Sequence, residues 1–92
     1  MNKKTVFVSG NFNVLHPGHL RLLRFAKESG DHLIIGLQSD ESAGKDVYVN
    51  YKHRMEGLLT NIWVDKVFKM DGPPSELILK LRPDIIVKGR EF

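Results

Sequence analysis

The arrangement of short apolar runs constrains this chain more than any other feature. Thr5-Val6-Phe7-Val8 is β-branched and aromatic and stops at Ser9-Gly10; Leu33-Ile34-Ile35-Gly36-Leu37 is apolar throughout; Asp84-Ile85-Ile86-Val87-Lys88 ends at Gly89. Continuous apolar runs of this length are the pattern of strands covered on both faces, as in parallel sheets. Val64 to Met70 alternates only in part and reads as a further strand, placed at an edge. The segments between carry helical spacing. Pro17 sits where a first helical residue is favoured, and Leu20, Leu23, Phe25 and Ala26 supply an apolar stripe until Gly30. Ser42 to Asn50 is small, charged and turn-prone, a loop from which Tyr51 or Lys52 leads a helix through Met55, Leu58, Leu59 and Ile62. Asp71-Gly72-Pro73-Pro74 breaks the chain before a short helix from Ser75 to Leu81, stopped ahead of Pro83. Strands alternating with helices predict an α/β fold, a three-layer parallel sheet with right-handed crossovers.

Ninety-two residues allow one domain with a thin core. Fourteen Lys and Arg against eleven Asp and Glu leave a charge of +3, which suits anionic ligands but does not establish nucleic-acid binding. The cations are scattered and no aromatic stripe runs among them, so a small basic nucleic-acid binder ranks low. The absence of cysteine removes disulfides and thiolate chemistry. No run approaches the roughly 20 apolar residues of a membrane span, and Val6-Phe7-Val8 is too short for a signal-peptide core. A cytoplasmic protein without membrane or nucleic-acid partners is expected.

Ligands of such sheets bind beyond the carboxyl ends of the strands, which directs attention to Gly10–His16, Gln38–Asn50 and the residues from Lys88 onward. The most informative segment is Gly10-Asn11-Phe12-Asn13-Val14-Leu15-His16-Pro17-Gly18-His19. It leads from a strand into the first turn of a helix, whose unpaired N–H groups and positive dipole end favour an anion. His16 and His19 are three apart, one side of a helical turn, and Gly18 leaves room for a phosphate to approach closely. Two imidazoles can stabilise charge on a transferring phosphoryl group, and a phosphate neighbour favours their doubly donating, protonated form. Either histidine by itself reads as a surface residue. Half of a zinc site is a second alternative, but neither cysteine nor a third carboxylate ligand supports it.

This segment resembles the first signature of the cytidylyltransferase-like nucleotidyltransferases, His-x-Gly-His at the start of the first helix. The frame Gly-x-Phe-x-x-x-His-x-Gly-His is most similar to glycerol-3-phosphate cytidylyltransferase and to the adenylyltransferase domain of ADP-heptose synthesis. Gly30 to Asp40, Tyr51-Lys52-His53-Arg54 and Asp84 to Gly89 follow in the family's order, so the resemblance covers essentially the whole chain. It implies a Rossmann-like sheet and transfer of CMP or AMP from CTP or ATP to a small phosphorylated acceptor, with pyrophosphate released and Mg²⁺ on the triphosphate. His16 and His19 would stabilise the α-phosphate in the transition state. Gly10, Asn11, Phe12, Asn13 and Gly18 would cradle the nucleotide, with Lys88 and Gly89 beside it. Arg54 would meet acceptor phosphate, its structural alternative being an ion pair with Glu56 or another nearby acid. Lys45 would meet acceptor or triphosphate oxygens, its alternative an exposed loop lysine.

The chain also departs from the family pattern. Asn13 stands where many relatives carry Asp, and Arg90-Glu91 follows the Lys-Gly pair where several carry an acid. The family's Arg plus Ile-Ser-Thr-Thr segment, which grips the triphosphate, does not occur before Phe92. The expectation is therefore a C-terminally incomplete piece of a longer enzyme, self-associating as a homodimer. The other readings are an FAD-synthetase-like adenylyltransferase and a non-catalytic nucleotide-binding or regulatory module.

Overall fold

A computed structural model describes residues 3–12, 17–44 and 49–87. Strand β1 (Thr5–Gly10) is followed by helix α1 (Pro17–Glu28), β2 (His32–Gln38), the single-turn α2 (Asp40–Ala43), α3 (Tyr51–Leu59), β3 (Lys66–Met70), α4 (Pro74–Leu81) and β4 (Ile85–Ile86). The four strands form one parallel sheet in the order β3-β2-β1-β4. The α/β expectation holds, and β3 lies at an edge.

Helices cover both faces. Val6 and Val8 of β1 pair with Leu33 and Ile35 of β2, and on that face they meet Leu23 and Ala26 of α1 and Leu58 of α3. Phe7 and Ile34, paired one residue along, point the other way into a smaller cluster with Met70, Leu77, Ile78 and Leu81. This is the period of two that puts successive strand residues on opposite faces. Gly36 belongs to the second face, where a Cβ would lie 2.6 Å from the Phe7 ring and 2.8 Å from Met70 Sδ. Glycine is what lets these two large side chains close over β2.

One device recurs at the amino ends of the strands. Asp31, Asp65 and Asp84 immediately precede β2, β3 and β4. The N–H of each donates to a carbonyl of the adjacent strand segment, at Lys4 (2.8 Å), Leu33 (3.0 Å) and Thr5 (3.0 Å). Each carboxylate in turn accepts the N–H of that same residue, at 2.9, 2.7 and 2.8 Å. Backbone groups at a strand's start are thereby satisfied, and the register is set at one end of the sheet.

Several expectations are corrected. Leu20 and Phe25 were expected in the buried stripe of α1, yet Phe25 is 61% exposed and Leu20 also faces outward. The buried face runs through His19, Leu23 and Ala26 instead. In α3 the buried residues are Arg54 and Leu58, while Leu59 is exposed and Ile62, beyond the helix end, is 87% exposed. Each helix offers two candidate apolar stripes, and the strand underneath selects one. The polar stretch after β2 contains α2, capped by Ser39, whose hydroxyl accepts from Ser42 N–H at 3.1 Å. The third strand begins at Lys66, not Val64; Val64 is buried as a core residue ahead of it.

The connections β1 to β2 to β3 run toward one edge, and α4 then returns to lay β4 on the other side of β1. The strand order thus reverses between β1 and β4, the place where open α/β sheets form a crevice at the carboxyl ends of their strands. Gly10 ends β1 there, and Val87 follows β4.

Candidate nucleotide site at the carboxyl end of the sheet

At the end of β1 the chain turns sharply, because Phe12 adopts φ 48°, a left-handed conformation that costs a non-glycine residue on the order of 1 kcal/mol. The turn folds its ring back beneath the strand end, where a Cβ at Gly10 would lie 3.1 Å from it. Phe12 is buried, and its ring packs on that of His19 with centroids 5.4 Å apart and planes inclined by 53°. His19 is the third residue of α1, which begins at Pro17, and its side chain heads the buried stripe. An imidazole at the amino end of a helix, behind a strand end at the switch point, is well placed for an anionic ligand.

Arg54 reaches the same region from α3, whose amino end is capped by Asn50 accepting from His53 N–H at 3.0 Å. Its guanidinium donates from Nη1 to the Asn11 carbonyl (2.9 Å), from Nε to the Val49 carbonyl (2.8 Å) and from Nη2 to Asp40 Oδ1 (2.9 Å). The side chain has no exposed surface. An arginine aimed at acceptor phosphate was expected; here three of its five donors are placed on protein acceptors. Its acid is Asp40, not Glu56. Sequence reasoning did not single out Asp40, although an acid directly after the β2 run lies at the carboxyl end of the sheet and so within reach of the adjoining loops.

Tyr51, also in the first turn of α3, has two cations against its ring, with Arg54 Cζ 5.8 Å and Lys69 Nζ 5.3 Å from the ring centre. Burial raises the Tyr51 hydroxyl above its ordinary pKa; Arg54 lowers it and Asp71 adds to the rise. The phenol therefore stays a protonated donor. On the α4 side of the crevice a cavity of about 290 Å³ is lined by Phe7, Ser9, Pro73, Pro74, Ser75, Ile78, Ile86 and Val87. It does not include His19 or Arg54, which lie on the other face of the sheet.

Of the residues expected at the site, Gly10, Asn11, Phe12, Gly18, His19 and Arg54 are described, and the structure joins Gly10, Asn11, Phe12, His19 and Arg54 through direct contacts. Asn13, His16, Lys45, Lys88 and Gly89 lie outside the described residues. Among the described residues no group of three His, Asp or Glu side chains is arranged to hold a metal ion, and no helix is long and apolar enough to cross a membrane.

The cytidylyltransferase-like family matches residues 7–92. The chain belongs to this family. It is 44% identical over 96 residues to the bifunctional protein HldE of Campylobacter curvus, covering 98% of this chain and 20% of that protein. It is also 42% identical over 97 residues to HldE of Campylobacter jejuni serotype O:2, covering 99% of this chain and 21% of that one. The chain thus spans about a fifth of the length of these curated relatives. The crystal structure of a lipopolysaccharide core biosynthesis protein from Thermoplasma volcanium shares the fold with a TM-score of 0.89 at 27% identity, over 99% of this chain and 80% of that one. His19 closes the sequence run His16-Pro17-Gly18-His19, and the Phe12–His19 packing joins His19 to the end of β1.

Proposed function

We propose that this domain transfers a nucleotidyl group from CTP or ATP to a small phosphorylated acceptor such as a glycerol phosphate or a sugar phosphate, releasing pyrophosphate. The observation that carries the reading is the position of His19: third in a helix that opens behind the end of β1, packed on a strained Phe12, at the reversal of strand order. An acceptor phosphate oxygen attacks the α-phosphorus and forms the new P–O bond. The bond from the α-phosphorus to the bridging oxygen breaks, and pyrophosphate leaves with its electron pair. The reaction needs negative charge on the α-phosphate stabilised in place, which fixed imidazole donors and a helix amino end supply. His16 and His19 take this role, while Gly10, Asn11, Phe12, Asn13 and Gly18 form the nucleotide cradle with Lys88 and Gly89. Lys45 serves acceptor or triphosphate oxygens. Mg²⁺ arrives on the triphosphate as part of the substrate. The similarity to a lipopolysaccharide core biosynthesis protein supports a sugar phosphate acceptor and a product used in envelope glycoconjugates, and we place the reaction in the cytoplasm.

The test is pyrophosphate release by the full-length protein with CTP and with ATP against a panel of phosphorylated acceptors. Release that depends on one nucleotide and one acceptor supports the reading. Saturable nucleotide binding with no pyrophosphate from any acceptor refutes it and leaves a nucleotide-binding module.

A further inference from the structure

We infer that Asp40 and Arg54 are positioning residues that act through Phe12 on His19; the functional part of this inference rests on the transferase reading above. The argument starts from what Arg54 holds. Its Nη1 donates to the carbonyl oxygen of Asn11, and that carbonyl belongs to the peptide unit joining Asn11 to Phe12. The angle φ of Phe12 is the rotation of the residue against this peptide plane, so fixing the carbonyl fixes the frame in which φ is 48°. Strained conformations persist only where their surroundings over-determine them. Here the over-determination is visible: the carbonyl is held from one side by Arg54, and the ring is held from the other by Gly10 and His19.

Asp40 aims the clamp. A guanidinium is a planar fork, so seating Nη2 on Asp40 Oδ1 and Nε on the Val49 carbonyl fixes the plane and the two in-plane directions in which Nη1 can donate, one of which meets the Asn11 carbonyl. The arginine side chain is fully enclosed, whereas 47% of the Asp40 side-chain surface is exposed. Burying this cation is tolerable because it is paired and hydrogen-bonded on three sides. The result is a chain of contacts, Asp40 to Arg54 to Asn11 to Phe12 to His19, that ties the ends of β1 and β2 and the start of α3 to one imidazole.

The experiment uses the full-length protein with Asp40→Asn, Asp40→Glu and Arg54→Lys, each also made in a His19→Ala background. Asp40→Asn and Arg54→Lys are expected to lower kcat by about tenfold to a hundredfold, as small misplacements of a reacting group do. The KM values for nucleotide and acceptor stay within about twofold, and Asp40→Glu restores part of the loss. In the His19→Ala background the effect of Asp40→Asn should vanish, because residues that act through one group are not additive. A raised acceptor KM at unchanged kcat would overturn the inference and make Arg54 a phosphate contact. An equal loss in the His19→Ala background would also overturn it, reducing the clamp to general support of the fold.

A second readout does not depend on turnover. The ring nitrogen resonances of His19 should move on Asp40→Asn while those of His32 and His53 stay in place; an unmoved His19 overturns the inference. Should the wild-type protein release no pyrophosphate at all, the transferase reading fails and the resonances alone decide the clamp. Where Arg54→Lys does not fold, Asp40→Asn at its half-exposed position carries the test.

Discussion

Asp65 and Leu33 hold each other twice, the carboxylate accepting Leu33 N–H at 2.7 Å while Asp65 N–H donates to the Leu33 carbonyl at 3.0 Å. Lys27 Nζ adds a third bond to the same carboxylate oxygen at 2.6 Å. Burial raises the Asp65 pKa, but hydrogen bonds from Lys27 and Leu33 and the charges of Lys27 and His32 outweigh it and leave it below the ordinary value. A carboxylate whose folded pKa is depressed stabilises the fold fully above its unfolded value, and that contribution is lost as pH falls through the folded pKa. Asp65→Asn should therefore cost about 1–2 kcal/mol in urea unfolding at neutral pH. The gap between wild type and variant should narrow only below about pH 4. A gap that closes between pH 5 and pH 7 would contradict this account.

For His19→Ala, and equally for His16→Ala, turnover is expected to fall at least about a hundredfold with little change in nucleotide affinity, since under the proposed function these side chains donate mainly in the transition state. Steady-state pyrophosphate release and nucleotide titration of the full-length variants decide it. Wild-type turnover in either variant would remove that histidine from catalysis.

Phe12 offers an inverted ordering of two substitutions. Truncating a buried Phe to Ala costs about 3–5 kcal/mol, and glycine ordinarily destabilises further. At φ 48° the opposite holds, because glycine adopts this conformation freely and alanine does not. Phe12→Gly should be more stable than Phe12→Ala by about 1 kcal/mol in urea unfolding. The usual order would show that the turn is relaxed in solution.

Gly36→Ala tests the close contact on the second face of the sheet. The new methyl would meet the Phe7 ring at 2.6 Å and Met70 Sδ at 2.8 Å, so both must shift. Overpacking of this kind costs about 1–3 kcal/mol, read as a lowered urea midpoint. An unchanged midpoint would mean that Phe7 and Met70 are loosely held.

Much of this architecture was legible in the residues. Unbroken apolar runs such as Leu33 to Leu37 require cover on both faces, so strand identity and parallel pairing follow from local chemistry. Pro17 at a helix start and Pro83 after a helix end act through their own rings and need no partner. The His16-Pro17-Gly18-His19 motif is likewise local, since its residue types and spacing are read directly from the chain. The Asp residues before β2, β3 and β4 are visible too, each directly ahead of its strand, but their shared role requires knowing which strand lies alongside.

Tertiary structure alone decided the rest. Leu20 and Phe25 on α1 carry as much apolar surface as Leu23 and Ala26, yet the sheet buries the stripe that also contains His19. The partner of Arg54 was equally hidden, because Glu56 is two residues away in the chain and Asp40 is fourteen. Distance along the chain says nothing about two helices that a parallel sheet brings to the same end. Spacing determined which side chains can do chemistry here, and the crossing of β1, β2 and α3 decided which of them meet, since the enclosed guanidinium takes its acceptors where the fold supplies them.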